Sequence, residues 1–182
     1  MDNTKEKGSQ VTMIIDTKDY KGMPTISDGF YFLCTPTKAK KGDFPKPYAG
    51  HVMNDGEYWW ATDGHRLHGL DLDGFGDPGV YKVVKNTKSQ VILQKTEKTD
   101  FPDINAVWPA HNDYTEIDCY SSQGTSVAYT KIVRQLESAQ TLNYEYINDV
   151  LCDDFQAFIY GTDKPVAFLN TNKLALVMPM MI

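Results

Sequence analysis

The period of hydrophobic and polar positions changes along the chain, and each change marks an element. "VTMIID" at 11–16 reads as a first short strand. In "TISDGFYFLCTP", Ser27 or Asp28 is placed to cap a short helix that Pro36 would stop, while Gly29 and the run Phe30, Tyr31, Phe32 fit a strand nearly as well. "GDFPKP" is a loop. From Tyr48 the period becomes two, and "YAGHVMND", "GEYWWATD" and "HRLHGLDL" read as three strands of a meander. Asn54-Asp55-Gly56 and Asp63-Gly64 supply its turns, because Asn, Asp and Gly tolerate the positive φ of tight hairpins. After the longer loop "DGFGDPG", the segments "VYKVVKN" and "SQVILQKTE" form a further hairpin around Asn86 to Lys88.

"DFPDINAVWP" combines Pro102 and Pro109 with Phe101, Val107 and Trp108, which predicts an extended linker pinned to a sheet surface. Beyond it come a strand, "YTEIDCY", and a helix, "SVAYTKIVRQLES", whose Ala128, Tyr129, Ile132, Val133 and Leu136 recur at helical spacing behind Thr125 or Ser126 as a cap. The chain then runs strand "QTLN", helix "YEYINDVL" capped by Asn143, and strands "FQAFIYG", "PVAFLN" and "KLALVMPM", joined by the turns "GTDKP" and "NTNK". The order strand, helix, three strands echoes the first part. The expected fold is therefore α+β: two βαβββ-type halves with antiparallel sheets and a few short helices, packed as one unit. The halves are 11–100 and 111–182, joined by the linker 101–110 and preceded by a disordered tail at 1–10.

Composition narrows the function more than the fold. The 182 residues are 41% hydrophobic and 23% charged, as in ordinary globular domains. No apolar run approaches the roughly 20 residues that span a bilayer, and the first ten residues are polar, so a cytoplasmic protein is expected. Cys34, Cys119 and Cys152 are widely spaced and form no CxxC pair, which favours buried thiols over disulfides or a zinc site. The net charge of −6 opposes binding to nucleic acid through the whole surface, so any contact with phosphates would be local. Lysines gather only in "TKAKKGDFPK" and along "YKVVKNTKSQVILQKTEK", where a solvated face or strand edge accounts for most such runs.

Chemistry is sparse. Asp63, His65 and Arg66 hold an acid, an imidazole and a cation side by side, yet the turn spacing sends them apart and places no nucleophile among them. His51, His65, His68 and His111 form neither HxH nor HExxH, and no phosphate-binding glycine motif occurs, so no metal or cofactor is expected. The tail "LALVMPMMI" is more informative, since methionine adapts well to varied partner surfaces. A groove lined by Leu67, Val177, Met178 and Met180, with Arg66 at its rim, would take short apolar peptides.

"ATDGHRL", "FPDINAVWP", "LNYEYINDVL" and the terminal "LALVMPMMI", in that order, resemble the bacterial DNA polymerase III beta subunit, the sliding clamp. The segments cover about half the chain, and together they are specific where each alone is weak. The resemblance implies a DNA-clamp-like fold and a non-enzymatic processivity factor. Its pocket would receive short linear motifs of DNA polymerases, clamp-loader subunits and repair proteins. Carried over residue by residue, that pocket comprises Thr62, Gly64, His65, Arg66, Leu67, Pro109, Val177, Met178, Pro179 and Met180. The resemblance further implies homo-oligomerisation around duplex DNA, with Lys38, Lys40, Lys41, Lys131 and Arg134 as the best phosphate contacts. Clamp chains carry three domains, and the segments here join the start of a second to the end of a third. Glu145, Asp149, Asp153 and Asp154 crowd the helix that would face DNA, so the alternative is a clamp-derived peptide-binding adaptor or competitor that does not encircle it.

Overall fold

Among the residues the structure describes, ten strands hydrogen-bond into one antiparallel sheet, and three helices cover one of its faces. The architecture is that of a computed structural model describing residues 12–16, 24–38, 46–97, 100–109, 113–136, 139–151, 153–161 and 163–181. The expected tail at 1–10 lies outside the described residues.

The elements are β1 (Thr12–Asp16), α1 (Pro24–Leu33), β2 (His51–Asn54), β3 (Tyr58–Thr62), β4 (Arg66–Asp71), β5 (Gly79–Thr87), β6 (Gln90–Thr96) and α2 (Ile104–Val107). There follow β7 (Thr115–Cys119), α3 (Thr125–Val133), β8 (Gln140–Thr141), α4 (Tyr144–Val150), β9 (Phe155–Ile159), β10 (Val166–Leu169), β11 (Lys173–Val177) and β12 (Met180–Met181). Across the sheet the order is β1-β6-β5-β2-β3-β4-β11-β10-β9-β7, with β8 and β12 paired separately. The α+β architecture of antiparallel strands with a few short helices, expected from the sequence, is the one observed. Its two antiparallel sheets are fused, however: the first six strands meet the later ones where β4 pairs with β11, Arg66 opposite Val177 and Lys173 opposite Leu70.

Alternation along the strands sorts the core into two layers. On β9, β10 and β11, Phe155, Ala157, Ile159, Val166, Phe168, Ala175 and Val177 face α3 and α4, where they pack with Ala128, Ile132, Ile147 and Val150. Their neighbours Phe158, Ala167 and Leu176 face the other way, with Trp60 and Leu67, and are covered by Phe101, Ile104 and Trp108. A third cluster under α1 holds Phe30, Leu33, Trp59, Leu70, Tyr81 and Leu93. Each of these large side chains, fully removed from water, contributes about 1.5–3 kcal/mol relative to exposure.

The segment 25–36, open between helix and strand in the sequence, is helical, and α1 packs against β4. A Cβ at Gly29 would lie 2.8 Å from Leu70, so the missing side chain is what lets the helix approach. Pro24 is its first residue, which places Ser27 and Asp28 inside the helix instead of at its cap, since proline is preorganised for a first turn. Gly124, at φ 78°, occupies the cap position of α3 in place of Thr125 or Ser126. Asn143 caps α4 as expected, accepting from the Glu145 N–H at 2.9 Å. The segment after Phe101 is not extended throughout. Asp103 accepts from the Asn105 N–H at 3.0 Å, and the Trp108 N–H donates to Ile104 at 3.1 Å, closing the helical turn α2.

Candidate functional site

The β3–β4 turn is fixed by side chains that serve their own backbone. Asp63 Oδ1 accepts from the N–H groups of His65 and Arg66 at 2.9 and 3.0 Å. The Thr62 hydroxyl donates to the Arg66 carbonyl at 2.6 Å and accepts from the Gly64 N–H at 3.0 Å. Gly64 takes φ +88°, and a Cβ there would lie 2.8 Å from the Tyr48 hydroxyl, so both conformation and space call for glycine. The strand-end Met178 then donates its N–H to the His65 carbonyl at 2.9 Å, fastening the C-terminal segment to the turn.

Around this junction lies a largely apolar cavity of about 300 Å³. Its walls are the turn itself, Leu67 and Leu176 from the β4–β11 seam, Pro102, Ile104 and Val107 around α2, and Tyr48, Pro165 and Met178 at the mouth. Met178 is 42% exposed, although it lines the cavity. The structure thus brings Thr62, Gly64, His65, Arg66, Leu67 and Met178 together. Pro109, Val177, Pro179 and Met180 are not among the lining residues. Val177 is fully buried on the opposite face of the sheet, packed with the α4 core, as the alternation of β11 requires. Met180 pairs with Thr141 in the β8–β12 ribbon.

Arg66 is not a rim residue. Its side chain is 2% exposed and runs into the helical face, where Nε meets Asp63 Oδ2 at 3.0 Å and an NH group meets Asp149 Oδ2 at 2.5 Å. The guanidinium carbon lies over the Tyr146 ring, 4.3 Å from its centre, a cation–π contact. Two further polar residues follow on that face of the seam. His68, fully buried, stacks on Phe32 and donates from Nδ1 to the Phe32 carbonyl at 2.8 Å. Burial, reinforced by the Arg66 charge, pulls its pKa down to about 3, so the ring is neutral. Lys173 pairs with Asp153.

Sequence reasoning did not pick out Tyr48, Pro102, Ile104, Val107, Pro165 or Leu176. Ile104 and Val107, three apart behind Asp103, carried the signature of a capped turn with one apolar face. Asp63 has its carboxylate occupied by backbone N–H groups and Arg66, so Asp63 does not orient His65 as a base. Among the described residues, no three His, Cys, Asp or Glu side chains converge as metal ligands. Cys34 and Cys119 are buried free thiols, and burial raises both pKa values, that of Cys119 to about 11. No described helix is long and apolar enough to cross a membrane. The basic residues are dispersed: Lys38 sits on the Tyr31 ring of α1, and Lys131 donates to Gln123 at 2.8 Å beside the exposed Arg134 on the far half of the sheet. Lys40 and Lys41 lie outside the described residues.

No family model and no curated protein matches the chain. Solved structures do. The chain is similar to DNA polymerase III subunit beta from Pseudomonas aeruginosa, with a TM-score of 0.59 and 15% identity over 100% of this chain and 69% of that one. It is similar to the Helicobacter pylori beta clamp solved with a DNA ligase peptide, with a TM-score of 0.57 and 12% identity over 93% and 65%. A Pseudomonas aeruginosa sliding clamp bound to griselimycin gives 0.56 and 15% over 97% and 67%. The shared property is the fold, laid out here over about two thirds of the length of those chains.

Proposed function

We propose that the 300 Å³ cavity beside the GHRL turn is a docking pocket for short linear peptide motifs, and that the protein is a cytoplasmic, non-enzymatic sliding-clamp-like processivity factor. The observation that carries this reading is the cavity itself. An apolar floor of Leu67, Leu176, Ile104 and Val107 and a mouth set with exposed Met178 suit two or three apolar side chains of an extended peptide. The Helicobacter pylori clamp of the same fold, solved with a DNA ligase peptide, supports the same partner class. DNA polymerase, clamp-loader and repair proteins are the expected bearers of such motifs, and thin occupancy of the helical face by Lys38, Lys131 and Arg134 would have to serve any duplex DNA in an oligomeric ring.

A second reading is favoured by that same face. Glu145 lies on α4 and Asp153 and Asp154 follow it, so a peptide-binding adaptor or competitor that leaves DNA alone fits the charge better than a ring does.

Fluorescence-polarisation titration of a labelled clamp-binding peptide tests the pocket. Micromolar binding, equivalent to about −8 kcal/mol, that weakens about tenfold in Met178→Ala protein is expected, and no binding by the folded wild type would overturn the proposal. Retention on closed circular DNA, read in parallel, separates the two readings.

A further inference from the structure

We infer that Asp149 and Tyr146, on α4, are positioning residues for the cavity that opens on the opposite face of the sheet. Its functional consequence rests on the peptide-docking reading above; its physical basis does not.

The cavity's polar wall is the turn 62–66, and that turn is held from behind. Asp63 Oδ1 receives the His65 and Arg66 N–H groups, which sets the turn, while Asp63 Oδ2 is fixed at 3.0 Å by Arg66 Nε. Arg66 is in turn fixed by α4: Asp149 takes an NH group at 2.5 Å, and the Tyr146 ring lies 4.3 Å from the guanidinium carbon. The chain of contacts therefore runs from α4 through the sheet to the turn. It continues to the strand-end Met178, whose N–H rests on the His65 carbonyl at 2.9 Å, and Met178 lines the cavity too. Asp149 lies 83 residues from Arg66 in sequence and does not line the cavity, so it acts on the turn only through Arg66.

Only a guanidinium does this work. It presents two edges in one plane to two carboxylates while its flat face meets a ring, whereas an ammonium is a point charge with no face. With Asp149 gone, a cation that is 98% enclosed would keep one carboxylate and lose the other, and its freed NH group would turn toward the nearest water. Asp63 would follow its partner, and the turn would lose the carboxylate that shapes it. Asp149→Glu keeps the charge and, with a small shift of α4, the contact.

The test combines a binding cycle with a spectroscopic readout that does not depend on peptide. Peptide affinity is measured for wild type, Asp149→Asn, Arg66→Ala and the double variant, and backbone amide shifts of 62–67 and Met178 are followed by NMR without peptide. Asp149→Asn is expected to weaken binding about tenfold and to move those amides, with Asp149→Glu recovering most of both. The double variant is expected to bind no more weakly than Arg66→Ala, because both changes cut the same chain of contacts. Additive losses, or unmoved turn amides with affinity within about twofold of wild type, would overturn the inference. If wild type binds no peptide, the docking reading fails while the amide shifts still decide the positioning role. Should Asp149→Asn not fold, Tyr146→Leu removes the ring without stranding a charge and is expected to move the same amides less.

Discussion

The two faces of the β4–β11 seam differ in the buried polar side chains they carry. On the helical face stand Arg66, His68 and Lys173, all buried, each with a partner supplied by a helix or the residues that follow one: Asp149, the Phe32 carbonyl and Asp153. On the other face the same two strands present Leu67, Gly69, Leu174 and Leu176, and beside them the cavity. The two faces therefore differ in what they can spare. Buried charges must have fixed partners, so the helical face closes and binds the two halves of the sheet together. Apolar side chains require no particular partner, so the other face can leave a space unfilled and offer it to a ligand. Arg66, reaching from the turn to α4, is where the faces are joined.

That contrast can be broken by substitutions, which should move stability on one face and affinity on the other. The largest expected effect is at Lys173. Asp153→Ala takes the paired carboxylate from its ammonium, on a side chain 8% exposed, and is expected to cost about 3 kcal/mol in urea denaturation, the low end for a buried pair because Asp153 is itself 45% exposed, with peptide affinity within about twofold for protein that remains folded. Leu176→Ala should cost about 2–3 kcal/mol, since it removes a side chain 3% exposed. Because Leu176 also lines the cavity, peptide affinity should fall with it.

His68 sharpens the comparison through pH. Its pKa lies near 3 in the folded protein against about 6.5 unfolded, so the unfolded chain binds the proton more tightly. Stability from this site is therefore complete above pH 6.5 and falls as pH drops from 6.5 toward 3, by about 1.4 kcal/mol per unit, or about 2 kcal/mol at pH 5. Denaturation curves at pH 7 and pH 5 should show that extra loss in wild type and lack it in His68→Gln, which keeps an N–H for the Phe32 carbonyl. The smallest stability change is expected at Met178. Being 42% exposed, it should cost less than about 1 kcal/mol as alanine while peptide affinity drops about tenfold.

The sequence carried the local parts of this picture and not the distant ones. The meander was legible because Asp55 and Asp63 announce their turns chemically, each accepting from N–H groups two and three residues on. The Asn143 cap was legible for the same reason. The start of α3 was not, because a glycine at its cap leaves no side-chain signature beside Thr125 and Ser126, which looked better suited. Fusion of the two sheets was hidden, since β4 and β11 are about a hundred residues apart and nothing in either names its partner. The same distance misplaced Arg66: alternation put it on a face, but only the fold supplies Asp149 and Tyr146 to bury it. Val177 is a neighbour of the cavity-lining Met178 in sequence only, because strand alternation sends residue 177 to the helical core.

The central claim is that the cavity beside the turn 62–66 holds a peptide. Its most direct test is a titration of methyl-labelled methionine protein with a clamp-binding peptide, followed by NMR. The Met178 methyl, in the cavity wall, is expected to shift saturably, while Met13, packed in the core under α1, stays where it is. An unchanged Met178 signal at saturating peptide, in folded protein, would contradict the claim.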